Sequence, residues 1–266
     1  MRGTNLGAAA RLASVLVATA GLLLGGCSAQ RPGPGPTPTV SALPADRDAL
    51  AGLAAAAKDR RYVATYTLSA AKRADRTVTV AVASDGTWVV AVPGGALDGL
   101  ADIAVFRSRS GLFQCALGPA SGGSPARPDL PPVLPGCVKV SRMTERTDPR
   151  VQHIFTDWID PLVDRATALS VAATGRLPGA DDGRCFSVES NSAALAPPVD
   201  PGVYCYRADG TLTAARVRFG TLRLAGPVGG APSTVAMPAP RVDADPLPIK
   251  APPPPTTAPP SATPDP

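Results

Sequence analysis

The stretch Thr77-Val78-Thr79-Val80-Ala81-Val82-Ala83-Ser84-Asp85-Gly86-Thr87-Trp88-Val89-Val90-Ala91-Val92 decides the fold class. Thr and Ala alternate with Val78, Val80 and Val82, the period of two that turns one side of a strand inward. Asp85-Gly86 interrupts the run, and Trp88, Val90 and Val92 resume it. Two alternating runs about Asp-Gly predict an antiparallel hairpin, because glycine reaches the backbone angles of a tight turn without steric cost. The second run is apolar on both faces, which fits a sheet covered on both sides or a concave sheet lining a cavity.

Working outward, Tyr62–Ser69 alternates Tyr62, Ala64, Tyr66 and Leu68 with Val63, Thr65 and Thr67 and predicts the preceding strand. Upstream of it, 46–59 reads as a helix capped by Asp46, with Leu50, Leu53, Ala54 and Ala57 on one face. Downstream, Ile103–Phe106 and Leu112–Leu117 predict a second hairpin turning through Ser108–Gly111, and Val138–Ser141 a short strand. From Asp148-Pro149, a cap followed by proline, Val151, Ile154, Phe155, Trp158, Ile159, Leu162, Val163 and Ala166 keep helical spacing over four turns. Asp160-Pro161 repeats the cap-and-proline pair, so this helix kinks or restarts there. The chain then turns extended again over Ala168–Ala173, Cys185–Glu189, Val203–Arg207, Thr211–Phe219 and Thr221–Leu224. Turns at Asp182-Gly183 and Asp209-Gly210 punctuate this second meander, and Gly220 marks a bend.

These elements predict an α+β domain over 46–226: a long antiparallel sheet with two helices packed on one face. Proline-rich stretches flank it. Residues 28–45 carry Arg-Pro-Gly-Pro-Gly-Pro-Thr-Pro-Thr, and 227–266 hold 14 of the 32 prolines. Such composition buries little apolar surface, so a linker and an extended, disordered C-terminal tail are expected.

The N-terminus shows Arg2 and Arg11, then thirteen uncharged residues, Leu12–Leu24, ending in Leu24-Gly25-Gly26-Cys27. A basic start and an apolar run short of the ~20 residues of a spanning helix read as a secretory signal peptide over 1–26. The ending resembles the lipobox of bacterial lipoprotein precursors. That resemblance implies that Cys27 is alkylated by diacylglycerol, becomes the mature N-terminus, and holds the chain to the outer face of the cell membrane. Two or three acyl chains suffice for stable anchoring where one does not. A signal peptide cut elsewhere is the competing reading.

Cys115, Cys137, Cys185 and Cys205 remain, an even set in an exported chain. Of three pairings, the sequence-local one, Cys115–Cys137 and Cys185–Cys205, is expected because each pair brackets one loop between strands. With no Cys-x-x-Cys and only one histidine, a metal site is not expected. The outline after a lipobox resembles the LolA-like carrier fold and related lipoproteins that bind acylated lipids. This implies a curved half-barrel whose hollow holds acyl chains, without assigning any binding residue.

Without Arg2 and Arg11 the chain carries 24 positive against 21 negative residues, and no basic block is interleaved with aromatics. Nucleic acid is therefore not an expected partner. His153 falls on the flank of the second helix, Asp181-Asp182 and Asp157/Asp160 suit turns and caps, and Ser187 and Ser190 flank Glu189 with no base nearby in sequence. No nucleophile elbow, phosphate loop or dinucleotide fingerprint appears, so no enzyme and no cofactor are expected. Two roles remain. One is a membrane-anchored binder or carrier of a hydrophobic ligand. The other is a structural or partner-binding envelope module with its tail reaching into the wall. A filled interior would favour the second.

Overall fold

The computed structural model describes residues 43–121, 127–180, 182–191 and 196–253. The described residues begin with α1 (Leu43–Asp59). One meander follows: β1 (Tyr62–Ser69), β2 (Arg76–Val82), β3 (Trp88–Ala96), β4 (Ala101–Ser108), β5 (Gly111–Pro119) and β6 (Gly136–Val140). A 3-10 helix, Val151–Phe155, and the short α2, Ile159–Val163, lead into the second: β7 (Leu169–Thr174), β8 (Arg184–Ser190), β9 (Gly202–Tyr206), β10 (Leu212–Val217) and β11 (Gly220–Leu224). All pairings are antiparallel, in the order β6-β5-β4-β3-β2-β1-β11-β10-β9-β8-β7. The first half runs outward from the centre and the second runs inward from the opposite edge, so that β1 closes on β11 with Leu68 opposite Leu222.

With eleven strands against helices of 17 and 5 residues, the fold is mostly β and not the balanced α+β mixture expected. The difference lies in the second helix. Continuing a helix through Pro161 would drive its ring into the carbonyl of Asp157 and remove a hydrogen bond. The chain breaks earlier instead, at Thr156 (φ −136, ψ −99), and restarts at Ile159, so Pro161 falls in a first turn where no amide is needed. The apolar stripe survives the break, since Val151, Ile154, Phe155, Trp158, Ile159 and Leu162 are all buried.

α1 also begins earlier than expected, and Asp46 does not cap it. Its Oδ2 accepts the amide of Ala173 on edge strand β7 at 2.8 Å. The neighbouring Arg47, 8 % exposed, donates to the carbonyls of Leu162 (2.6 Å), Pro161 (2.9 Å) and Asp164. One side chain thus serves the end of α2, where carbonyls lack helical partners. At the other end of α1, Gly210 (φ +81) brings the β9–β10 turn against the helix; a Cβ there would lie 2.2 Å from the Ala57 nitrogen.

The front of the sheet, the side of Tyr62, Ala64, Tyr66 and Leu68, meets these helices. Tyr66, Tyr204, Tyr206, Phe186, Ile154 and Leu162 are at most 1 % exposed there, and the Tyr66 ring meets that of Phe155 tilted by 49°, centroids 4.9 Å apart. Side chains fill this space. Tyr204 and Tyr66 donate their hydroxyls to the carbonyls of Asp200 (2.6 Å) and Leu212 (3.1 Å), so burial costs these phenols little.

Residues 227–253 differ most from expectation. They are extended, as the prolines dictate, but they lie on the sheet as a strap instead of standing free. Gly229 exchanges two backbone bonds with Val63, and Pro232 and Ser233 accept the amides of Ser84 and Asp85 at the β2–β3 turn. Val235, Met237 and Ala239 then cover a back-face cluster of Ala104, Phe106, Phe113 and the Cys115–Cys137 bridge. At edge strand β6, Cys137 donates to Pro240 and accepts from Val242, so the strap rounds the edge and returns along the front. It gives β3 its second apolar neighbour: Val89 and Ala91 pack towards the strap, Val90 and Val92 towards the helices. Residues 254–266 lie outside the described residues.

Candidate functional site

Where the strap returns along the front it does not fill the space above β5 and β6. A cleft of about 450 Å³ remains, within the range of small-molecule sites. Its floor is Gln114, Ala116, Gly136 and Val138; one wall is the proline-rich loop 130–135 and the other the strap from Val242 to Pro252. Gly136 is needed here because a Cβ would meet Val242 at 2.8 Å. The mouth carries Leu134, 74 % exposed, and Val242, 39 % exposed, the large apolar side chains left open to solvent among the described residues. Apolar side chains held together at a surface mark a contact site more often than scattered ones do.

Gln114 is the polar anchor beneath the cleft and is 2 % exposed. Its Nε2 donates to Leu247 and Thr147 carbonyls, both at 2.9 Å, and its Oε1 accepts the Leu247 amide at 2.6 Å. Every hydrogen-bonding group of the amide except one lone pair is thereby engaged. The sequence carried no clear signal for it: Phe113, Cys115 and Leu117 make the opposite face of the strand the more apolar one.

A second cavity, about 570 Å³, lies at one end of the sheet among Lys72, Arg73, Asp75, Arg76, Asp98 and Asp102. Its charges balance. Asp102 is occupied by the amides of Gly94 (2.7 Å) and Ser121 (3.1 Å), and Arg76 by the carbonyls of Pro93 and Gly94.

The cysteines stand as the local pairing expected. Cys115–Cys137 joins β5 to β6 and Cys185–Cys205 joins β8 to β9, each between directly opposed residues on the back face. Cys27 lies outside the described residues. His153 is more constrained than its place on a helix flank suggested. Nε2 meets Asp148 Oδ2 at 2.7 Å and Nδ1 meets Asp157 Oδ2 at 3.0 Å. Burial alone would lower its pKa, but the two carboxylates outweigh that and raise it to about 9. The imidazole is a held cation at neutral pH, a poor arrangement for a general base. Asp160 pairs with Lys58 at 2.8 Å and Asp182 with Arg207 at 2.5 Å; Asp181 lies outside the described residues. Ser187 and Glu189 lie on β8. Among the described residues no helix is long and apolar enough to cross a membrane. No family model matches this chain, and neither does any curated protein.

Proposed function

We propose that this chain is an extracytoplasmic lipoprotein, anchored to the cell membrane through lipid on Cys27, that acts without catalysis as a binder of an apolar ligand. The cleft between the strap and the 130–135 loop is the observation that carries the reading: about 450 Å³, lined almost wholly by Leu, Val, Ala and Pro. The basic start, the apolar run and Leu24-Gly25-Gly26-Cys27 support the address. Two disulfides suit an oxidising compartment.

The resemblance to LolA-like carriers rests on element order, an antiparallel sheet with helices on one face. The filled space beneath the helices departs from a hollow half-barrel, so the ligand is assigned to the cleft and not to the sheet's interior. That filled interior favours the second reading, a docking module for an envelope protein that grips Leu134 and Val242. The docked strap weakens its original motive, because most of the tail is not free to reach a wall partner.

Native mass spectrometry of protein extracted from membranes tests the pair. A co-purified apolar molecule, lost on Ala116→Trp, is expected. A reproducibly empty protein, with an envelope partner crosslinked through position 134, would favour docking. An unmodified Cys27 at the mature terminus would overturn the anchor.

A further inference from the structure

We infer that the cleft selects an apolar molecule with a cationic, hydrogen-bond-donating head, an alkylammonium in its simplest form. This rests on the reading of the cleft as the binding site and adds the chemistry of what enters it. The charge of the lining is what supports this. Five of the lining residues are prolines, Pro131, Pro132, Pro135, Pro248 and Pro252, which carry no amide; the Pro248 and Pro252 carbonyls are already taken, by the Leu97 amide and the Arg127 guanidinium. Several of the other lining amides are engaged elsewhere. Leu97 donates to Pro248, Val242 to Cys137, and Leu247 to Gln114. Both donors of Gln114 are also taken.

Asp245 supplies the charge. It is the one ionisable side chain lining the cleft, it is exposed, and no cation pairs with it among the described residues. Arg127, which donates to the lining carbonyl of Pro252, is paired with Asp129. An apolar ligand ending in carboxylate or phosphate would meet repulsion from Asp245. One ending in ammonium would meet a carboxylate and carbonyls, which desolvate it at lower cost.

The test is calorimetric titration of the full chain carrying Cys27→Ser with octylammonium, octanoate and 1-octanol, probes of equal tail length. Octylammonium is expected to bind about tenfold tighter than octanoate, a difference of ~1.4 kcal/mol. Asp245→Asn is expected to bring the two within about twofold, as loss of one charge contact requires. Ala116→Trp is expected to abolish binding of all three by filling the cleft. Octanoate binding as tightly as octylammonium, or an unchanged ratio in Asp245→Asn, would overturn the inference while leaving the cleft as an apolar site. Failure of every probe, or binding that survives Ala116→Trp, would overturn the cleft itself.

Discussion

Gln114 and Leu247, one in a strand and the other in the strap that rounds its edge, hold each other by two hydrogen bonds, as neighbouring strands do. The side-chain amide donates to the Leu247 carbonyl at 2.9 Å and accepts the Leu247 amide at 2.6 Å. A single buried side chain therefore replaces a strand at the point where the chain has left the ladder. The strap's remaining polar contacts are spread along its length, but this one is inside.

Gln114→Leu should accordingly cost more than its apolar character suggests. It would leave the Leu247 amide and carbonyl and the Thr147 carbonyl without this partner, at about 1–3 kcal/mol. Gln114→Glu should cost as much, since a carboxylate cannot donate to two carbonyls. Urea midpoints measure the loss, and proteolysis between 240 and 250 should accelerate in both variants. Unchanged midpoints would mean that the strap is held by its apolar contacts alone.

Removing the strap is a larger perturbation with a distinct signature. A chain ending at Gly226 would expose Phe106 and Phe113 and leave the outer edge of β6 unpaired at Cys137. Exposed edges and apolar patches associate. Dye binding and self-association on a sizing column are expected for this truncation. A chain ending at Pro253 keeps every contact described and should behave as the parent does.

The strap also marks where reading the sequence stops. Asp85-Gly86 announced its hairpin because turn chemistry is local, and Val82 does face Trp88 across it. The cysteine pairs were legible for the same reason: each closes a short loop between adjacent strands. Proline content at 227–253 was legible only as stiffness. What docks the segment is a few residues, Val235, Met237 and Leu247, meeting surfaces more than a hundred residues away, and composition carries no record of that. Likewise the spacing marked the buried stripe from Val151 to Leu162, although Ala166 is exposed and Gln152 is buried, while Pro161 decided where the helix could not continue. The cleft follows from strap and loop together, and no residue of the strand beneath it announced it.

The disulfides make a prediction about access. All four cysteines are at most 4 % exposed, so the folded chain should resist thiol reagents and mild reductant and become reactive only on unfolding. Cys185→Ala with Cys205→Ala should lower stability by about 3 kcal/mol, the value expected for closing a loop of this length. Alkylation in the presence of mild reductant, with and without urea and read by mass, checks the first statement, and denaturation checks the second. Labelling of native Cys115 or Cys137 would show that the strap opens readily.

His153 gives the fold a pH dependence of known sign. Its folded pKa, about 9, lies above the ordinary 6.5: burial works against the charged form, and the hydrogen bonds and charges of Asp148 and Asp157 outweigh it. A group with a raised folded pKa stabilises fully below its unfolded pKa and loses that contribution as pH climbs through the folded one. The loss therefore falls between roughly pH 6.5 and 9 and is on the order of 2–3 kcal/mol. Asp148 is shifted oppositely. Burial would raise it, but hydrogen bonds from His153 and Gln152 hold it below the usual carboxylate range, so its share is lost only in acid, as pH falls through that lowered value. Between these limits the pair is complete. The His153 ring stacks on Trp158 at 5.7 Å, so Trp158 fluorescence should change as the imidazole loses its proton. Wild-type stability should drop between pH 6 and 10, and His153→Gln should flatten that drop while starting lower at pH 6. An imidazole titrating near 6.5 in the folded chain, followed by nuclear magnetic resonance, would show that the two carboxylates do not hold it.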